Sequence, residues 1–281
     1  MTTDFKKQVH EKLALFINQK GSQNKAANSL NGVSSALLSQ IMNNNWENIS
    51  ETMWRNVASQ IGHSSKEWVF VETTDFKIIS KFLDDAQQNA NVFAMTGDAG
   101  SGKSKSFDLY VADNKNAYLL SCAEYWNRKE FLVQLLTSMG VDYSGFTVAE
   151  MMNEIVKKLK SQHNPLIILD EADKLPDTVL YFFITLYNRL EDHCGIILCA
   201  TDHLSKRISK GIKLNRKGYK EINSRIGRKF IELKGINYND VTQICIANGV
   251  ENAKDIKEIF NDSECDLRRV KRKIHAVKNR V

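Results

Sequence analysis

The stretch Gly97-Asp98-Ala99-Gly100-Ser101-Gly102-Lys103-Ser104 lies about a third of the way along a 281-residue chain and is its most specific pattern. It satisfies G-x-x-x-x-G-K-[ST] at every fixed position. An apolar run precedes it at 92–96 and an amphipathic pattern follows at 103–111, so the motif has a strand before it and a helix after it. The glycines let the backbone turn until successive N–H groups face one anion. The helix N-terminus adds a field favourable to negative charge. Lys103 places a point charge where β- and γ-phosphate oxygens would lie, and Ser104 offers a hydroxyl to Mg²⁺. All eight residues are therefore candidates for nucleotide binding, with ATP and Mg²⁺ as the expected cofactors.

Working outward, short apolar runs alternate with helical patterns. Strands are expected at 92–96, 117–121, 166–169, 195–200 and 229–232. Helices are expected at 75–88, 103–111, 128–139, 148–162 and 177–190. Short, fully apolar strands between helices imply a parallel sheet covered on both faces, an α/β fold. The run Leu166-Ile167-Ile168-Leu169 ends in Asp170-Glu171. An acid at the carboxyl end of such a strand is placed to hold Mg²⁺, which Ser104 and Asp170 would share. The next acid, Glu171, is placed to orient and deprotonate a water.

This order of motifs resembles the AAA+ P-loop NTPases. The resemblance implies a core at 65–235 and a small helical lid at 236–281. It assigns Thr201, just after the run 195–200, to sensing the γ-phosphate. Asn223-Ser224-Arg225-Ile226-Gly227-Arg228 resembles the segment that delivers an arginine finger to a neighbouring subunit, with Arg225 and Arg228 both candidates. Asp266-Leu267-Arg268-Arg269 resembles the lid segment whose arginine, here Arg268, contacts nucleotide in its own subunit.

Residues 1–64 differ in character, being rich in Asn, Ser and Gln with helical patterns only. Helices are expected at 4–19, with Val9, Leu13, Leu15 and Phe16 as its apolar face, at 23–30, at 35–42 and from Ser50 to Ile61. Residues 62–65 are the natural boundary. Asn31-Gly32 between the second and third helices gives a helix-turn-helix pattern, with Gly32 supplying the left-handed turn. Ser34, Ser35, Ser39 and Gln40 would then meet phosphates or base edges, and Lys25 the backbone. A protein-docking domain with the same core is the alternative.

The formal charge is +6, a mild excess compatible with a polyanionic partner. Two stretches carry no acid: 206–220, with Lys206, Arg207, Lys210 and Lys213 as the best candidates for DNA contact, and 268–280. The five cysteines show no metal-ligand spacing and read as small buried residues. No export signal and no run of membrane-spanning length is seen, so a cytoplasmic protein of a bacterial host cell without membrane association is expected.

A helix-turn-helix module ahead of a compact AAA+ core resembles, over nearly the full length, the Mu B-type phage DNA transposition proteins and the related accessory ATPases of insertion sequences and Tn7-like elements. The residues that carry it are 97–104, 166–171, Ser224-Arg225 and the segment 118–131. The resemblance implies an ATPase that forms rings or helical filaments on duplex DNA with little sequence preference, selects targets and activates a transposase. ATP would lie between subunits. A helicase loader or replication initiator shares this core, and a transcription regulator with a signalling ATPase domain is the third reading.

Overall fold

The computed structural model describes residues 3–63 and 68–279. Part of the expected boundary at 62–65 lies outside them. The sheet is five-stranded and wholly parallel, in the order β2-β3-β4-β1-β5, with β1 Val92–Thr96, β2 Ala117–Ser121, β3 Leu166–Asp170, β4 Gly195–Ala200 and β5 Phe230–Glu232. Its strands bury alternate residues on opposite faces, as the two-residue period requires. From β3, Ile167 and Leu169 enter one apolar cluster while Leu166 and Ile168 enter the other. From β4, Ile196 and Leu198 point one way and Ile197 and Cys199 the other.

The helices α5 (Thr74–Asn89) and α6 (Lys103–Asp113) cover one face. The other is covered by α7 (Arg128–Ser138), α8 (Val148–Lys160), α9 (Asp177–Leu190), α10 (Asp202–Lys213) and α11 (Tyr219–Arg225). The last two fill the basic stretch, for which no element was expected. Parallel strands put every carboxyl end on one edge. Because β4 stands between β1 and β3, the loops after β1 and β3 diverge above it and leave a crevice.

Residues 3–63 build a separate apolar cluster from α1 (Thr3–Lys20), α2 (Gln23–Asn28), α3 (Ser35–Met42) and α4 (Glu51–Gln60). Trp54 lies at its centre, met edge-on by Trp46 at 5.6 Å. Serine caps begin three of these helices: Ser22, Ser34 and Ser50 each accept a backbone N–H. Leu15, expected on the apolar face of α1, is 70% exposed, because the stripe facing the cluster is narrower and is filled by Val9 and Leu13. The module sits on the ends of α6 and α7. The Gln19 amide donates to the Val111 carbonyl, and Lys20 Nζ donates to the Ser138 carbonyl at 2.9 Å.

The lid is helical as expected, built from α12 (Tyr238–Ala247), α13 (Ala253–Ser263) and α14 (Leu267–Lys278). Trp68 and Val71, which a division at 65 gives to the core, pack on the lid cluster with Ile244 and Val270. Two acids fasten the hinge. Buried Asp75 accepts the N–H groups of Lys234 and Gly235, and Asp240 accepts those of Thr74 and Asn237. Four cysteines are buried as expected, but Cys265 is exposed in the turn before α14. Among the described residues no helix is long and apolar enough to cross a membrane.

Candidate nucleotide site

The crevice at the carboxyl ends of the strands holds a cleft of about 550 Å³. Its floor is the loop after β1. Gly100 and Gly102 stand at φ +83° and +92°, where a side chain is strained. They are also crowded from above: a Cβ on Gly100 would come within 2.2 Å of the Asp266 carboxylate, and one on Gly102 within 2.9 Å of Leu267. The lid closes on the loop through the Leu267 N–H, which donates to the Gly100 carbonyl at 2.9 Å.

Lys103 begins α6 and folds back over the loop, donating to the carbonyls of Gly97 at 2.8 Å and Asp98 at 2.7 Å. Ser104 Oγ donates to Asp170 Oδ2 at 2.6 Å, bringing the ends of β1 and β3 together. Asp170 is 2% exposed. Burial pushes its carboxyl above the ordinary range, while the Ser104 hydroxyl and the Glu171 N–H pull it back down. Glu171 sits at φ +55°, an uncommon left-handed setting for a non-glycine residue, and pairs with Lys174 at 2.7 Å. Thr201 Oγ1, just past β4, donates to Asp173 Oδ2 at 2.7 Å. Arg268 is exposed on the first turn of α14 and lines the same cleft.

The structure thus brings Gly100, Gly102, Lys103, Ser104, Asp170, Glu171, Thr201 and Arg268 into one cleft. Its remaining wall was not read from the sequence. Trp68, Phe70, Val71 and Phe76 form an apolar side near Ile244 and Leu267 of the lid. The aromatic run ahead of a well-capped helix was the available signal. Lys271 lies over the Trp68 ring at 5.0 Å.

Arg225 is elsewhere. It lines a depression with Asn91, Val92 and Ile196, at the amino ends of β1 and β4. Five residues of strand separate those ends by about 16 Å, so Arg225 faces away from the cleft of its own chain. Its guanidinium lies over the Tyr187 ring at 5.3 Å and donates to Asn188 Oδ1 at 2.9 Å. Arg228 is exposed with φ +60°.

Four of the residues expected to touch DNA have other work. Arg207 is the clear correction: its guanidinium points inward to Asp177, Tyr219 and two backbone carbonyls, because α10 turns that face onto α11 and the turn after β3. Ser34 Oγ is occupied as the cap of α3, and Ser39 Oγ accepts from Asn43. Lys25 is exposed, yet its backbone packs against Gly140, facing the core. Ser35 and Gln40 are exposed on α3, and Lys206, Lys210 and Lys213 are exposed on one face of α10.

Residues 86–208 match the family model of an AAA domain. The chain carries an AAA domain. That domain contains the loop after β1, the acids Asp170 and Glu171 at the carboxyl end of β3, and Thr201 after β4. The Mu B-type resemblance also holds. The chain is similar to the Mu-like prophage FluMu DNA transposition protein B of Haemophilus influenzae, with 23% identity over 237 residues, 82% of this chain and 81% of that protein. The AAA domain is thus of the nucleotide-hydrolysing P-loop class, in a chain similar to a transposition protein.

Proposed function

We propose that this chain is an Mg²⁺-dependent ATPase that oligomerises on duplex DNA and serves target selection and transposase activation in DNA transposition. The observation that carries the proposal is the placement of two half-sites at opposite ends of one sheet. The cleft gathers Lys103, Ser104, Asp170 and Glu171, while Arg225 lines a depression at the other end of the sheet, which supports a finger offered to another subunit's cleft.

In this reading, Lys103 exchanges the carbonyls of Gly97 and Asp98 for β- and γ-phosphate oxygens. Ser104 Oγ and Asp170 are oxygen donors in contact, a set suited to a hard divalent cation, and Mg²⁺ held there would neutralise phosphate charge. Glu171 leaves Lys174, orients the attacking water and takes its proton. Thr201 fixes that water together with Asp173. Arg268 reaches the phosphates within the subunit, and Arg225 or Arg228 stabilises the transferring phosphoryl group from the next. The Trp68 and Phe76 side of the cleft receives the base.

The DNA face proposed is the exposed stripe Lys206, Lys210 and Lys213. It continues into Arg216 and Lys217, all sequence-indifferent phosphate contacts. The similarity to a DNA transposition protein of Haemophilus influenzae supports this over a loader or a regulator.

The test is binding to random-sequence duplex DNA with no nucleotide, ADP or a non-hydrolysable ATP analogue, followed by electron microscopy. Filaments or stacked rings that require the analogue are expected. Discrete complexes at one site without nucleotide would favour the regulator, and absence of duplex binding the loader.

A further inference from the structure

Arg207 is a heavily bonded charged side chain outside the cleft, and nucleotide hydrolysis as described gives it no task. Its side chain is 25% exposed. One edge donates from Nη1 to the carbonyls of Asp173 at 3.2 Å and Leu175 at 2.7 Å, inside the turn that follows Glu171. Asp173 is the same residue whose carboxylate holds Thr201. The other edge meets the Asp177 carboxylate and, from Nε, the Tyr219 hydroxyl at 3.1 Å. Tyr219 in turn donates to Asp177 at 2.7 Å.

These partners belong to two different parts of the machine. The carbonyls belong to the loop that carries Glu171. Tyr219 is the first residue of α11, whose last residue is Arg225. Tyr219 is 1% exposed, and its ring lies under Gly211 so closely that a Cβ there would come within 2.4 Å. The start of α11 is therefore tightly packed against α10. Asp177 opens α9, and Tyr187 and Asn188 farther along α9 cradle the Arg225 guanidinium. A planar guanidinium can hold four acceptors in fixed directions at once, and a lysine ammonium cannot.

We propose that Arg207 is a positioning residue that fixes the Glu171 loop and the Arg225 helix in one frame, so that the state of a subunit's own cleft sets the finger it offers to its neighbour. This rests on the shared-site reading, and the experiment separates the two. The acceptor is Arg225→Ala with Arg228→Ala, which keeps an intact cleft but carries no finger. The donor is Glu171→Gln, which keeps its finger but cannot activate water. Neither turns over ATP alone, and mixed on duplex DNA they should regain turnover.

The donor is then remade with Arg207→Lys, and separately with Tyr219→Phe, which removes only the hydroxyl. Regained turnover should fall by about tenfold for Arg207→Lys and about threefold for Tyr219→Phe, with kcat lowered and KM for ATP unchanged. Binding of a fluorescent ATP analogue by each donor, and its melting curve, keep folding out of the result. Tyr219→Phe serves if Arg207→Lys melts early. Undiminished turnover with both donors would overturn the inference while leaving the shared site standing. No regained turnover with the plain donor would overturn the shared site, and the inference with it.

Discussion

Asp170 is 2% exposed and must be an anion to do the work proposed for it. Burial raises its carboxyl, so the folded chain takes up that proton more readily than the unfolded chain does. Its contribution to stability is therefore complete below the ordinary carboxylate pKa and is lost as pH rises through the raised one. At neutral pH the ionised group costs stability. Asp170→Asn should raise the melting temperature of the nucleotide-free protein while abolishing Mg²⁺-dependent turnover. Both hydrogen bonds survive the change, since the amide oxygen can accept the Glu171 N–H and the Ser104 hydroxyl can accept from the amide. A lower melting temperature in scanning calorimetry would mean that the carboxylate stabilises the fold. Lys103 offers a complementary measurement. Lys103→Ala should weaken binding of a fluorescent ATP analogue by about a hundredfold, the worth of one charge-assisted bond to phosphate. Unchanged affinity would leave the loop without its proposed role.

Among the elements, α10 divides its charges between two tasks. Lys206, Lys210 and Lys213 recur at helical spacing and face solvent, whereas Arg207 lies on the buried side with Leu204 and Ile208. A basic stretch taken as one patch does not separate them, because only the helical period of α10 sorts its charges onto two faces. Charge reversal at Lys206, Lys210 and Lys213 should weaken duplex binding and reduce the slope of log affinity against log salt by about 0.9 for each phosphate that is no longer neutralised. Titration at several salt concentrations checks this, and an unaltered slope would place the DNA face elsewhere. The strands were far more legible. β1, β2 and β4 stand at the residues expected, because apolar runs buried on both faces have few competing interpretations. The end of β3 was read one residue short, since Asp170 is polar in sequence but remains within the ladder.

The whole molecule holds apolar clusters on both faces of the sheet, in the lid and in residues 3–63, the last meeting α6 and α7 through polar contacts. Residues 3–63 have their own core, and none of them lines the nucleotide cleft. A chain lacking residues 1–63 should accordingly bind the fluorescent ATP analogue with unchanged affinity but hold duplex DNA less tightly. Failure to bind nucleotide would mean that the Gln19 and Lys20 hydrogen bonds hold α6 and α7 in place. By itself the sequence determined the parallel α/β fold, the phosphate loop, the acidic pair and the order of the later motifs. Each of these is a local pattern: a strand, a turn that needs glycine, a charge at a fixed offset. Only the tertiary structure decided which distant groups meet. It set Asp266 against Gly100, turned Arg207 inward to Asp177 and Tyr219, and drew Trp68 and Phe76 onto the cleft. It also placed Arg225 at the far end of the sheet from Lys103. The reason is physical: those meetings depend on how helix faces pack and on strand order, neither of which is written at any fixed spacing along the chain.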